Sequence, residues 1–300
     1  MQKDDMQLEQ RIRVDQRKLA VVLPALYAMV LAAFCIIYNV IPGPEFLFLI
    51  FFIYAAYNRW SRQFVKDWIP FLTLFVSYEA MYGLVGAVAR IVHVVEPLNV
   101  ELLLFKALPT LVLQNGFRMP ALDYIGAGFY SAHFFAPTIF AFVLWKTNSK
   151  NYWKYTVAFA VCTYTALVTF LVYPVAPPWY GVSGVTRVLF DVDKNIGVPV
   201  YRTIFDFIQP NQFAAFPSLH SAFPWLIFLF AWENWKKKAL PVLIFPIGVW
   251  FSAVYLGEHY VIDVIGGVVY ASVAFVLAER MLPHVLLWKK RKATQTAEIK

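Results

Sequence analysis

Apolar residues run along the chain in long blocks, approximately Leu19 to Ile41, Glu45 to Tyr57, Trp68 to Val92, Tyr124 to Trp145, Trp153 to Tyr173, Leu219 to Trp232, Ala239 to Tyr255 and Tyr260 to Leu282. Blocks that are apolar on every face predict helices that meet lipid, which gives an all-α polytopic membrane bundle of about eight transmembrane helices. Several blocks fall short of the roughly 20 residues a perpendicular span needs, so their ends must draw on flanking residues or sit at shallower depth.

The polar punctuation supplies an orientation, because cytoplasmic loops carry the lysines and arginines. Basic residues gather in the N-terminal tail (Arg11, Arg13, Arg17, Lys18), then at Arg59, Arg62 and Lys66, at Lys146, Lys150 and Lys154, at Lys236 to Lys238, and in the C-terminal tail (Lys289 to Lys292). The short loops between them, Pro42-Gly43-Pro44 and Leu256-Gly257-Glu258, carry none. This alternation predicts both termini on the cytoplasmic side. Two long connections, Val94 to Asp123 and Pro174 to Ser218, then face the other side. The first, leucine-rich and broken by Pro109, predicts one or two helices lying in the interface. The second, aromatic and proline-rich, predicts an ordered cap over a site.

Composition agrees: 60% of residues are hydrophobic and 15% charged, outside the range of soluble domains. The net charge of +8 is spread over loop ends, which suits anionic headgroups and membrane orientation and gives no face for nucleic acid. Cys35 and Cys162 lie in apolar runs at no metal or disulfide spacing and read as small buried hydrophobes. The first 18 residues are polar and of mixed charge, so they are expected to be a cytoplasmic tail and not a cleavable leader. With no linkers or repeats, residues 19–283 are expected to form a single transmembrane catalytic domain, followed by a basic cytoplasmic tail at 284–300.

Against this apolar background two histidines stand out, His220 in Phe-Pro-Ser-Leu-His-Ser and His259 in Gly-Glu-His-Tyr-Val-Ile-Asp. His259 and Asp263 are at i and i+4 near the start of the last block, one turn apart on one helix face. An aspartate there can orient an imidazole and leave the other ring nitrogen free to attack an electrophile. His220 follows Pro217 and Ser218, a natural helix start, so a phosphate would meet exposed N–H groups beside the ring. Two histidines and one carboxylate are an incomplete set for zinc or iron, and Asp263 is better used as the partner of His259. Asp123 and His133, nearly three turns apart, share one side of the fourth block, with His133 the deeper. Glu79 and Arg90 suit an intramembrane pair or snorkelling. His284 falls on the opposite side, beside the basic tail.

At Pro217-Ser218-Leu219-His220 and His259-Tyr260-Val261-Ile262-Asp263 the chain resembles the type-2 phosphatidic acid phosphatase superfamily. More narrowly it is similar to the fungal inositol phosphorylceramide synthase branch, which also has an element like Ala176-Pro177-Pro178-Trp179 and a preceding helix like Leu122-Asp123-Tyr124 through His133 to Pro137. The likeness covers about Leu122 to Gly267. It departs from typical phosphatases of the superfamily: there is no Arg-Pro dipeptide, and Ser252-Ala253 stands where they have Ser-Arg. Both departures favour the synthase branch and leave the phosphate clamp open, with Arg187, Lys194, Arg202 and Arg118 as candidates by charge and side.

The resemblance implies a six-helix phosphatase-like core and phosphohistidine chemistry without cofactor or metal. His259 would be nucleophile, Asp263 its partner and His220 acid and base. Ser218, Asp123, His133, Arg187 and Arg202 would line the substrate. The donor would be phosphatidylinositol or a related phospholipid and the acceptor a ceramide-like lipid alcohol, on a periplasmic, extracellular or luminal face. Water as acceptor would make the same site a lipid phosphate phosphatase. A transporter would instead line the bundle midplane with charge.

Overall fold

The structure, a computed structural model, describes residues 45–88, 91–208 and 212–298, and residue 29 besides. Of the span expected from Leu19 to Ile41 only residue 29 is described. Cys35, the 1–18 tail and the side chains of Glu79, Arg90, His284 and the C-terminal basic cluster lie outside the described residues.

Two compact units form, Met1–Thr73 and Leu74–Lys300. In the first, α1 (Glu45–Tyr57) and the leading part of α2 (Ser61–Val88) make a hairpin. Arg59 turns the chain with φ 62°, and Trp60 N–H closes the turn on the Ala55 carbonyl at 2.7 Å. The seam is aromatic: the Phe48 and Phe51 rings approach Trp68 at 5.6 and 5.7 Å, and Phe64 stacks on it at 5.1 Å.

The second unit takes in the rest of α2 and then two short helices, α3 (Val95–Phe105) and α4 (Pro109–Phe117), separated by a kink in which Lys106 takes φ 60°. They answer to the expected interfacial segment. α3 buries Pro97 and Glu101 and exposes Val95, Val100 and the run Leu102 to Phe105. α5 (Pro120–Thr147) and α6 (Ser149–Val172) follow. A connecting region then holds one-turn α7 (Pro178–Gly181), α8 (Val188–Ile196) and α9 (Val200–Ile208), and the chain ends in α10 (Leu219–Trp235), α11 (Ile244–Tyr255) and α12 (Val261–Glu298). Helix α12 continues past Leu282, where the apolar block ends.

Four stretches are long and apolar enough to cross a bilayer among the described residues: Pro120–Thr147, Ser149–Val172, Leu219–Tyr255 and Val261–Arg280. The third contains a reversal. A 3-10 segment at Lys236–Leu243, opened by Lys236 at φ 51°, folds α11 back on α10, so that the Trp250 indole N–H reaches the Ser221 carbonyl at 3.2 Å. The chain is therefore a polytopic all-α membrane protein. Its core gathers α6, α10 and α12 on one side and α5 with α11 on the other.

Two contacts fix how these helices cross. Near the His220 end, Gly266 and Gly267 of α12 let the start of α10 come within backbone distance: a Cβ at Gly267 would lie 2.1 Å from the Ser218 carbonyl oxygen, and one at Gly266 would lie 2.5 Å from the Phe216 ring. At the other end Lys154 of α6 is buried between Glu233 of α10 and Glu279 of α12, at 2.8 and 2.6 Å. That pairing neutralises most of a charge cluster which the interior could not otherwise hold.

The described residues between α6 and α10 are tied together by backbone and side-chain hydrogen bonds. His93 pairs with Val175 and Val175 with Ala214 as isolated parallel bridges, with His93 N–H on Pro174 at 2.9 Å and Ala215 N–H on Val175 at 3.2 Å. Asp193 at the end of α8 accepts the Tyr201 and Arg202 backbone N–H groups at 2.9 and 2.8 Å, which holds α9 against α8.

Two stability outcomes follow from the crossings. Gly267→Ala has no space for its methyl beside the Ser218 backbone and should cost about 1–3 kcal/mol or prevent folding, read as a lowered thermal midpoint in detergent. Lys154→Ala strands two carboxylates and should cost about 3–5 kcal/mol, whereas replacing Lys154, Glu233 and Glu279 together by apolar residues should recover most of that loss.

Candidate active site

The site forms where the first turns of α10 and α12 meet. Ser218 caps α10, its Oγ accepting from Ser221 N–H at 3.3 Å, and its own N–H is donated to the Asp263 carbonyl at 3.0 Å. Ser221 Oγ lies 2.9 Å from the Ser218 carbonyl and 2.8 Å from that of Val264. These bonds bring His220 and His259 together: His220 Nδ1 is 3.1 Å from His259 Nε2.

The partners settle the tautomers. His259 Nδ1 lies 3.0 Å from the Ala215 carbonyl oxygen, which can only accept, so Nδ1 carries the proton and Nε2 presents a lone pair. His220 Nδ1 must then be the donor across the 3.1 Å contact, and His220 Nε2 has no hydrogen-bond partner among the described residues. A lone pair on one ring thus faces an N–H on the other.

Asp263 is fully buried, and its Oδ2 accepts Tyr260 N–H at 2.8 Å while standing 3.6 Å from His259 Nδ1. At 3.6 Å this is an electrostatic contact and not a hydrogen bond. Orientation of His259 comes instead from Ala215, 44 residues away in sequence. His220 is held by rings: Tyr130 stacks on it at 4.0 Å and His133 lies against it at 3.8 Å. His133 Nδ1 is fixed by the Tyr130 carbonyl at 2.9 Å.

The remaining candidates fall in different places. Ser218 is wholly buried and engaged as a cap. Asp123 accepts from the Tyr255 hydroxyl and stands 3.7 Å from Arg118, which itself pairs with Asp191. Lys194 also reaches Asp191, at 2.8 Å. Burial would raise the Asp191 carboxyl, but the hydrogen bonds from Lys194 and Arg118 outweigh it and hold the group below its ordinary value. Arg187 donates to Glu258 through Nε at 2.7 Å and Nη2 at 3.1 Å, with its guanidinium 4.2 Å from the Trp179 ring centre, 4.6 Å from Phe190 and 3.9 Å from Phe205. Arg202 is exposed, its guanidinium 5.1 Å from Phe190.

Three contributors carry no sequence signal of their own. Glu101 Oε1 accepts Ile262 N–H at 2.9 Å, at the start of the helix that bears Asp263. Gln114 ties α4 to the cap, donating to Thr186 and Tyr255 carbonyls at 2.9 Å each and accepting Thr186 N–H at 2.9 Å. Glu258, beside His259, holds Arg187. A lone carboxylate in the Leu-rich Glu101-Leu-Leu-Leu-Phe run was the one available hint.

Comparison with known proteins places these residues in context. The model of the PAP2 superfamily matches residues 101–277. The phosphoinositol dihydroceramide synthase of Bacteroides thetaiotaomicron is 25% identical over 244 residues, 73% of this chain and 78% of that protein. The inositol phosphorylceramide synthase catalytic subunits of Schizosaccharomyces pombe and Saccharomyces cerevisiae are 27% and 32% identical, over 51% and 35% of this chain. These matches cover 39% and 28% of the two fungal proteins. No solved structure matches the chain significantly.

The Arg187–Glu258 pair is buried, so its members should act as one unit. A double-mutant cycle of Arg187→Ala and Glu258→Ala, followed by thermal unfolding, is expected to give a coupling of about 1–3 kcal/mol; additive losses would show two independent residues.

Proposed function

The chain belongs to the PAP2 superfamily, and on that premise we propose that it transfers a phosphoinositol-like headgroup from a phospholipid to a lipid alcohol of the ceramide class. The observation that carries this reading is the pairing of a His259 Nε2 lone pair with the His220 Nδ1–H at 3.1 Å. The named synthases among the relatives support transfer over hydrolysis.

In the proposed reaction the donor's phosphorus enters between the two rings, which must part to admit it. His220 enters this step doubly protonated, as the imidazolium: His259 Nε2 attacks phosphorus, the bond to the diacylglycerol oxygen breaks, and His220 gives its Nδ1 proton to that oxygen and becomes the neutral imidazole. The phosphorylated His259 ring is cationic, with Nδ1–H still donated to Ala215 and the Asp263 carboxylate beside it. The acceptor hydroxyl then attacks phosphorus, His220 takes its proton, and the P–N bond breaks.

The phosphate clamp follows from charge balance. A phosphodiester carries one negative charge, where a phosphate monoester carries close to two near neutrality. Arg118 and Arg187 are held by carboxylates, and in this reading the His220 N–H and the first amides of α10 would meet that single charge, with the exposed Arg202 the uncommitted cation of the candidate set. Such a site suits a diester. Ser218, Asp123, His133 and Arg187 then serve by shaping the cavity and holding the helices that present the imidazoles. The site is assigned to the non-cytoplasmic face, with both termini cytoplasmic, on the strength of the loop charges.

Purified protein in vesicles with labelled phosphatidylinositol should form labelled product only when ceramide is supplied, and release of free inositol phosphate regardless of ceramide would defeat transfer in favour of hydrolysis. His259→Ala should abolish turnover, and His220→Ala should reduce it about 10²–10⁴-fold. Retained turnover in His259→Ala would remove the phosphohistidine step.

A further inference from the structure

The first turn of α12 carries the nucleophile's partner, yet its N-cap position is Tyr260, whose side chain cannot cap. Asp263, three residues on, supplies half of a capping box by reaching back to Tyr260 N–H at 2.8 Å. The other half comes from outside the helix: Glu101 Oε1 accepts Ile262 N–H at 2.9 Å. We propose that Glu101 of α3 is a positioning residue for His259, completing the N-terminal cap of the catalytic helix from a separate element.

Glu101 is fully buried, although it sits on a helix whose neighbouring Leu102, Leu103, Leu104 and Phe105 are exposed. Its second oxygen has no hydrogen-bond partner among the described residues, and the same is true of Asp263 Oδ1 and the Tyr260 hydroxyl. A carboxylate with half its hydrogen-bonding capacity unused is costly to bury, so a plain cap would be better served by an amide. What the carboxylate adds is charge at the positive end of α12. From α12 the titratable groups facing it are Asp263 and Tyr260; on α3 itself Glu96 is turned to His93 at 2.9 Å.

Burial pushes the Glu101 carboxyl up, and Asp263 adds to this, while the Ile262 and Val261 N–H groups pull it down; the balance lies at about 7. Above that pH it is a charge-assisted acceptor, and below it a neutral carboxyl with a weaker bond. The stability sign runs the other way. A carboxyl whose folded value is raised favours the fold below its ordinary range and loses that contribution as pH rises through about 7. Charged Glu101 therefore serves turnover at a cost to the fold.

This inference rests on the proposed phosphohistidine chemistry, and the test separates the two. Turnover and thermal midpoints of wild type, Glu101→Gln and His259→Ala are measured in the same vesicles at pH 6 and pH 8. Glu101→Gln should show kcat lowered about 5-fold at pH 8 with KM unchanged, a rate equal to wild type at pH 6, and a thermal midpoint at pH 8 as high as wild type or higher. A constant ratio to wild type at both pH values, or a kcat loss matched by a lower midpoint, would overturn the positioning role. Should the amide variant not fold, Glu101→Asp gives the second test: it keeps the charge but not the reach, and is expected to lose turnover at both pH values, wild-type turnover overturning the proposal. If His259→Ala is inactive while Glu101→Gln matches wild type throughout, only the role of Glu101 falls; if His259→Ala turns over, the catalytic reading falls.

Discussion

The hydrogen bond from Ser218 N–H to the Asp263 carbonyl joins the first turns of two helices that are distant in the chain, and the geometry of both imidazoles depends on it. Its 3.0 Å length is reached because α12 presents Gly266 and Gly267 at the crossing, where any side chain would meet Phe216 or the Ser218 backbone. Ser221 then adds its hydroxyl to the Val264 carbonyl at 2.8 Å. Two helix N-termini are thus held side by side, so positive dipole ends and orphan N–H groups converge on one small region. Convergence of that kind repels unless anions answer it. Asp263 and Glu101 do so at α12, while the start of α10 is capped by the neutral Ser218.

Charge is managed by the same economy in the cap. Arg187 is paired with Glu258 and enclosed by Trp179, Phe190 and Phe205, which makes it a bolt between α8, α9 and the residue before His259. Arg118 and Lys194 share Asp191, and Asp123 takes the Tyr255 hydroxyl. The Arg187–Glu258 pair is largely withdrawn from water and therefore strong, whereas the Arg118 and Lys194 contacts to Asp191 stay partly solvated and contribute less. The consequence is a connecting region in which Arg118, Arg187 and Lys194 are each committed to a carboxylate.

Much of the fold and site was legible in the sequence. The apolar blocks placed α5, α6 and α10, the end of α11 and the start of α12 within a few residues, while α12 runs on past Leu282 and the start of the α11 block is a 3-10 segment; the leucine-rich segment interrupted by Pro109 anticipated α3 and α4. Local spacing also carried the placement of the candidate residues, since Ser218 as helix cap and the i, i+4 pair His259 and Asp263 are written within single turns. What stayed hidden were contacts between distant segments. Periodicity says nothing of the Ala215 carbonyl, because a backbone acceptor leaves no side-chain trace. Glu101 and Gln114 read as stray polar residues in apolar helices until their partners, 161 and 141 residues away, are placed beside them. Likewise, Arg187 looked free until Glu258 was brought against it.

The 3.6 Å between Asp263 and His259 bears on how the aspartate would contribute to rate. In the resting state Ala215 already fixes the tautomer through a neutral hydrogen bond, so Asp263 gains little from a neutral ring. In the proposed reaction the ring would acquire positive charge once Nε2 began to bond to phosphorus, and a buried carboxylate a few ångströms away would stabilise that charge without moving. An interaction that strengthens only as the reaction proceeds lowers the barrier and leaves ground-state binding unchanged. Such a division of labour, in which a backbone carbonyl orients and a carboxylate compensates, would give Asp263 an electrostatic role in the proposed reaction, its side chain fixed by Tyr260 N–H in the helix start that Glu101 also bonds.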